Sequence, residues 1–182
     1  MAACTRWKVL FPVLILCVSL LGMVVSVSGD AALIKDVCSK TSRPFYCETC
    51  YEFYSQSSKE NVKDLGRTSI RCAFSEFDTF RSSLRSFMIN PKNLGPGLQN
   101  ACNQCLFMLE SVDKKIQNAA EKWQKASYAS SSLQMLIAVN IINDSCGREL
   151  MKFNLPKFLA DQQVRLDGFC QASIGVLDQI PE

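Results

Sequence analysis

In Leu98-Gln-Asn-Ala-Cys102-Asn-Gln-Cys105-Leu-Phe-Met-Leu109-Glu-Ser-Val112-Asp-Lys-Lys-Ile116-Gln-Asn-Ala119-Ala-Glu-Lys-Trp123, the numbered apolar residues recur at alternating spacings of four and three. An α-helix turns once in 3.6 residues, so this pattern lines one face with apolar groups and leaves the polar residues on the other. It is the stripe of a helix in a bundle. Toward the N-terminus, Ile70, Ala73, Phe77, Phe80, Leu84 and Phe87 repeat it, and toward the C-terminus so do Leu159, Leu166, Phe169, Val176 and Ile180, with Gln162 and Ser173 as polar interruptions. Leu133 to Ile142 is apolar on most sides. A buried strand competes for that piece, but its place between two long helices favours a helix packed against several neighbours.

The connectors agree. Ser57 with Glu60 three residues later has the form of a capping box opening the second stripe. Asn90-Pro91 and Gly95-Pro96-Gly97 break that helix from the next, Lys125 to Ser132 separates the third from the fourth, and Asn154-Leu155-Pro156 separates the fourth from the last. Short loops between long amphipathic helices make sequential helices antiparallel neighbours. The expected fold is all-α: an up-down-up-down four-helix bundle over 57–182, preceded by a short cysteine-clamped helical hairpin over 30–56.

Arg6 and Lys8 precede an apolar run from Val9 to Val27, followed by small residues up to Gly29. This is the form of a secretory signal peptide over 1–29, cleaved before Asp30. Of the 182 residues, 153 would remain, with 18 of the 20 basic residues and all 17 acidic ones. A net charge so near zero, without a basic tract, gives no sign of a nucleic-acid partner, and no later run is apolar enough to span a membrane. The chain contains no histidine. That removes the ordinary Ser-His and Cys-His nucleophilic pairs and most catalytic zinc sites. No glycine-rich phosphate loop is present, and the acidic residues are scattered over helical faces. Neither catalysis, nor a metal, nor a cofactor is expected.

Eight cysteines remain after the leader, and secretion makes disulfides their default state. Eight allow 105 full pairings, so geometry must sort them. About a turn at Ala126, Cys105 lies 21 residues before and Cys146 lies 20 after, so antiparallel helices place them level. About Lys59, Cys50 and Cys72 are roughly level too. Cys38 and Cys47 are close in sequence, with Pro44 turning the chain between them. Cys102 and Cys170 fall on parallel helices at different depths and are expected to be free or bridged only after distortion.

Ile34-Lys-Asp-Val-Cys38-Ser-Lys-Thr41-Ser-Arg-Pro44-Phe-Tyr-Cys47 resembles the opening signature of the plant invertase and pectin methylesterase inhibitor family: cysteine, then threonine third, proline sixth and cysteine ninth after it. Asp64-Leu65 with Ile70 resembles that family's next segment. Cys105 and Cys146 have the separation of its second disulfide pair, and Cys170 sits where some members carry an unpaired cysteine. The chain departs from the pattern at Leu136-Ile137-Ala138-Val139, where a tryptophan and small residues are usual, and at Ser145, where threonine is common. Cys50, Cys72 and Cys102 are additions.

The resemblance implies a four-helix bundle with a helical hairpin, and a secreted inhibitor forming a 1:1 complex with acid invertase or pectin methylesterase. It implies the apoplast or cell wall as its location, with the vacuole as the alternative. Pro156-Lys157-Phe158 matches the short motif that invertase inhibitors of the family insert into the enzyme's active-site cleft. Proline stiffens a loop, lysine offers a cation to glycosidase carboxylates, and phenylalanine supplies an apolar anchor. The same residues also read as a helix start followed by a core stripe. In the pectin methylesterase branch a bundle face, rather than this loop, covers the cleft. A lipid carrier would need adjacent Cys-Cys and Cys-x-Cys pairs, which are absent, and a signalling role without an enzyme target is the remaining alternative. Asn143-Asp144-Ser145 is a glycosylation sequon. Trp123 reads as core, and Phe45, Tyr46, Tyr51, Phe53 and Tyr54 read as the packing of the hairpin onto the bundle.

Overall fold

The computed structural model describes residues 31–54, 61–89 and 94–181. The expected leader lies outside them, as do Ser57, Glu60 and the Asn90-Pro91 break. Two short helices, α1 over 31–39 and α2 over Pro44–Phe53, come first. Then follow α3 (Val62–Met88), α4 (Pro96–Gln124) and α5 (Tyr128–Asn140). The last of these runs directly into a π-helical segment, Ile141–Gly147, and a short turn, α6 (Arg148–Leu150). The helix α7 (Lys157–Leu177) completes the described chain, which is all-helical.

Each long helix packs on two others, α3 on α4 and α7, and α5 on α4 and α7. With short connections this is the up-down-up-down bundle the stripes require. Cys102, Cys105, Leu109, Val112, Ile116 and Ala119 of α4 are all buried, and so are Ile70, Ala73, Phe77, Phe80 and Leu84 of α3. Leu159, Leu166, Phe169, Val176 and Ile180 fill the third side, while Ser173 is buried among them and donates to the Ser69 carbonyl at 2.7 Å. A polar group inside a core is tolerated when bonded in this way.

Helix boundaries depart from expectation in three places. The cap of α3 is Asn61, not Ser57: its side chain accepts from the Asp64 amide at 3.0 Å and donates to the Asp64 carboxylate at 2.9 Å. Pro96 and Gly97 belong to α4 rather than to the break before it, because proline suits the first helical turn. A side chain at Gly97 would meet the Phe153 ring, with a β-carbon there 3.1 Å from Cε1. The connector expected over Lys125 to Ser132 shortens to Lys125–Ser127. Ala126 adopts φ 55°, its amide bonds to the Trp123 carbonyl, and the Ser127 amide reaches back to Lys122 at 2.9 Å. That double bond is a Schellman ending, which frees α5 to begin at once. Tyr128, Ser131 and Ser132 are then buried helical residues, and the Ser131 hydroxyl donates to the Ala119 carbonyl.

The hairpin docks on α7. The Thr41 hydroxyl closes α1 by donating to the Cys38 carbonyl, and Thr41 packs directly on Gly175. The Tyr46 ring packs directly on Gly168 and meets Phe169 edge-on. Arg43 bonds Gln171, and Gln179 reaches the Val37 carbonyl. The aromatic cluster is divided: Tyr51 is buried and donates to the Leu65 carbonyl at 3.0 Å, whereas Phe45 and Phe53 face outward. They fall on the outer face of α2, so not all five residues pack the hairpin. Trp123 sits at the core's edge, donating to the Lys63 carbonyl with Arg67 over its ring.

Candidate target-binding loop

The segment from Met151 to Pro156 joins α6 to α7 at the end of the bundle where α3 stops and α4 starts. Although it lacks helix, it is held closely. Its amides at Met151, Phe153 and Leu155 bond to the carbonyls of Gly147, Leu150 and Phe153. The Phe153 ring anchors it on Gly97 of α4. Pro156 is the cap of α7, with φ −54° and ψ 137°, and its carbonyl accepts from both Leu159 and Ala160. A proline fixes this extended entry without sacrificing a backbone donor that the helix needs.

Lys157 is therefore the first residue of α7 and projects from the bundle end. Its side chain is 87% exposed and its ammonium rests 2.6 Å from the Asp161 carboxylate, one turn along. Phe158 is half-exposed, and its ring meets that of Phe87 edge-on at 6.5 Å. Leu159 is buried, so the core stripe begins one residue after the exposed phenylalanine. Ile89, just past α3, and Met151 are about three-quarters exposed at the same end, at 75% and 74%. The three motif residues are thus together on the surface, with an apolar fringe. The sequence reading missed Asp161, although its spacing of four from Lys157 on a helix was a legible signal. It also missed Ile89 and Met151, for exposure of a single apolar residue leaves no mark in sequence.

The other candidate residues fall elsewhere. Cys38 pairs with Cys47, Cys50 with Cys72 and Cys105 with Cys146, at Cα separations of 5.4, 5.8 and 4.4 Å. Cys102 and Cys170 are free and buried, and burial pushes both thiols up from their ordinary value. Asn143 lies in the π-helical segment, half-buried, with its side-chain nitrogen donating to Asp167 of α7 at 2.7 Å. A glycan on that nitrogen would have to displace this bond. Among the described residues no cluster of three or more ligating side chains suits a metal, and no helix is long and apolar enough to cross a membrane.

Neither a protein-family model nor a curated protein sequence matches the chain. Solved structures do. A mutant form of a pectin methylesterase inhibitor from Arabidopsis superposes with a TM-score of 0.70 over 80% of this chain and 95% of that one, at 16% identity. The fold is that of a pectin methylesterase inhibitor. A second such inhibitor, from Arabidopsis thaliana, gives a TM-score of 0.63 over 84% of this chain and 99% of that one, at 15% identity. At such identity the fold is what is shared.

Proposed function

We propose that this chain is a secreted inhibitor of acid invertase, a non-enzyme that forms a 1:1 complex and blocks the active-site cleft with the loop around Lys157. The observation that carries the reading is the presentation of Lys157: a cation at the tip of a bundle, behind a proline-fixed turn and beside a half-exposed phenylalanine. A cleft lined with glycosidase carboxylates suits such a tip. The exposed Lys157–Asp161 pair is of a kind worth less than about 1 kcal/mol, so exchanging Asp161 for a carboxylate of the target costs little. The loop's internal hydrogen bonds reduce the ordering needed on docking. Secretion to the cell wall, or to the vacuole, accords with three disulfides and with the leader expected over 1–29.

The likeness of fold to pectin methylesterase inhibitors favours a second reading, in which a bundle face engages pectin methylesterase and the loop is idle. Inhibition by the purified, oxidised protein, assayed side by side against the two enzymes, separates them. The first reading expects invertase to slow and Lys157→Ala to relieve it. Inhibition of the esterase alone transfers the role to a bundle face, and inhibition of neither removes both readings.

A further inference from the structure

The helix α2 ends at Phe53, while α3 and α7 continue beyond it. Where it stops, the three helices line an open groove of about 550 Å³, whose α7 residues Gln162, Arg165 and Phe169 begin about one and a half turns along that helix from Lys157. That volume is within the range of roughly 300–1,000 Å³ typical of small-molecule sites. Its aromatic lining is Phe53, Tyr54 and Phe169, of which Phe53 is 74% exposed. Its polar wall combines planar and hydroxyl groups. Arg165 and Glu76 join α7 to α3 through two parallel bonds, Nε to Oε2 at 3.2 Å and Nη2 to Oε1 at 2.5 Å. The fork leaves Nη1 uncommitted to Glu76, and Arg165 remains 46% exposed. Ser75 adds a hydroxyl one residue before Glu76, and Gln162 contributes its amide.

The Gln162 oxygen is buried without a hydrogen-bond partner. An unsatisfied acceptor of this kind costs about 1–3 kcal/mol.

We propose that this groove binds a neutral saccharide. The charges of Arg165 and Glu76 cancel, so an anion gains little there, and the same is true of a cation. What the wall offers is donors and acceptors at close spacing: a guanidinium edge, carboxylate lone pairs, an amide and a hydroxyl. Vicinal hydroxyls of a sugar ring satisfy such a set because each both donates and accepts. The apolar C–H face of the ring covers Phe53, which otherwise stands in water. A purely apolar ligand would leave the fork and the amide unmatched, at the cost of desolvating them.

The test is a heteronuclear NMR titration of the oxidised protein with maltotriose, cellotriose and 1-kestose, with glucuronic acid as the acidic comparison. Saturable shifts confined to the amides around Phe53, Ser75, Gln162 and Arg165 are expected with at least one neutral probe. Phe53→Ala, a surface change that leaves the core intact, is expected to weaken that binding about tenfold. Gln162→Ala is expected to weaken it while leaving the spectrum folded. Absence of saturable shifts with all three neutral probes overturns the proposal, as does selective binding of glucuronic acid or undiminished affinity in Phe53→Ala. None of these outcomes depends on inhibition of invertase, so this site and the Lys157 loop stand or fall separately.

Discussion

Thr41 rests directly on the backbone of Gly175: a β-carbon at position 175 would stand 2.8 Å from the Thr41 β-carbon and 3.0 Å from its α-carbon. Because the obstructing atoms belong to the backbone and the base of a side chain, they cannot swing away. Gly175→Ala gains helix propensity of about 1 kcal/mol but drives the hairpin from α7, and overpacking of this kind costs about 1–3 kcal/mol. A net loss of stability is expected in urea unfolding, together with faster reduction of Cys38–Cys47. An unchanged midpoint and reduction rate would show that the hairpin tolerates displacement.

Ala126 offers the opposite case. Its φ of 55° is left-handed, where a β-carbon is crowded by the following carbonyl. Glycine is the usual residue at this position of a Schellman ending. Ala126→Gly relieves the crowding but enlarges the unfolded ensemble, leaving an expected gain of about 0.5–1 kcal/mol. Thermal unfolding reads it directly, and a lowered midpoint would contradict the argument.

The pairing of Lys157 with Asp161 gives the proposed docking a second handle. Lys157→Ala is expected to weaken inhibition of invertase at least about tenfold, which corresponds to 1.4 kcal/mol. Asp161→Asn frees the ammonium and is expected to tighten inhibition modestly without altering the fold. Inhibition constants for both variants decide it; equal values for wild type and Lys157→Ala would assign the contact elsewhere.

Alkaline pH should weaken the fold. Burial raises the thiols of Cys170 and Cys102 and the phenol of Tyr51 above their ordinary values of 9.0 for the thiols and 10.0 for the phenol. In the unfolded chain these groups lose their protons at those ordinary values, while the native chain keeps them. Stability is therefore full below about pH 8 and falls as pH rises through 9 and 10. Cys170→Ala removes one of the three groups and should flatten the decline in urea midpoint between pH 8 and 10. An identical slope in the variant would mean that the Cys170 thiol loses its proton over the same pH range in the folded and unfolded chains.

The helices were legible because three stripes repeat with a helical period and their core positions are nearly all buried. Helix ends were less so. Asn61 takes the cap because its amide bonds reciprocally with Asp64, a competition that Ser57 and Glu60 do not reveal in sequence. The early start of α5 rests on Ala126 adopting a conformation that sequence assigns to glycine. At the candidate site the motif itself was readable, whereas the exposure of Ile89 and Met151 depends on where neighbouring helices stop. The π-helical turn around Cys146 was hidden too, because it changes the phase of a helix without changing its composition.

The contacts of α7 bear on the order in which the chain can be made. It packs on α2, α3 and α5, and the hairpin rests chiefly on its Gly168 and Gly175. Yet it leaves the ribosome after all of those elements. At synthesis rates of about 5–20 residues per second, Cys38, Cys47, Cys50 and Cys72 emerge seconds before the surface that will cover them. The first two disulfides are thus open to formation and correction while the hairpin is still bare, and the arrival of α7 closes that interval by burying them.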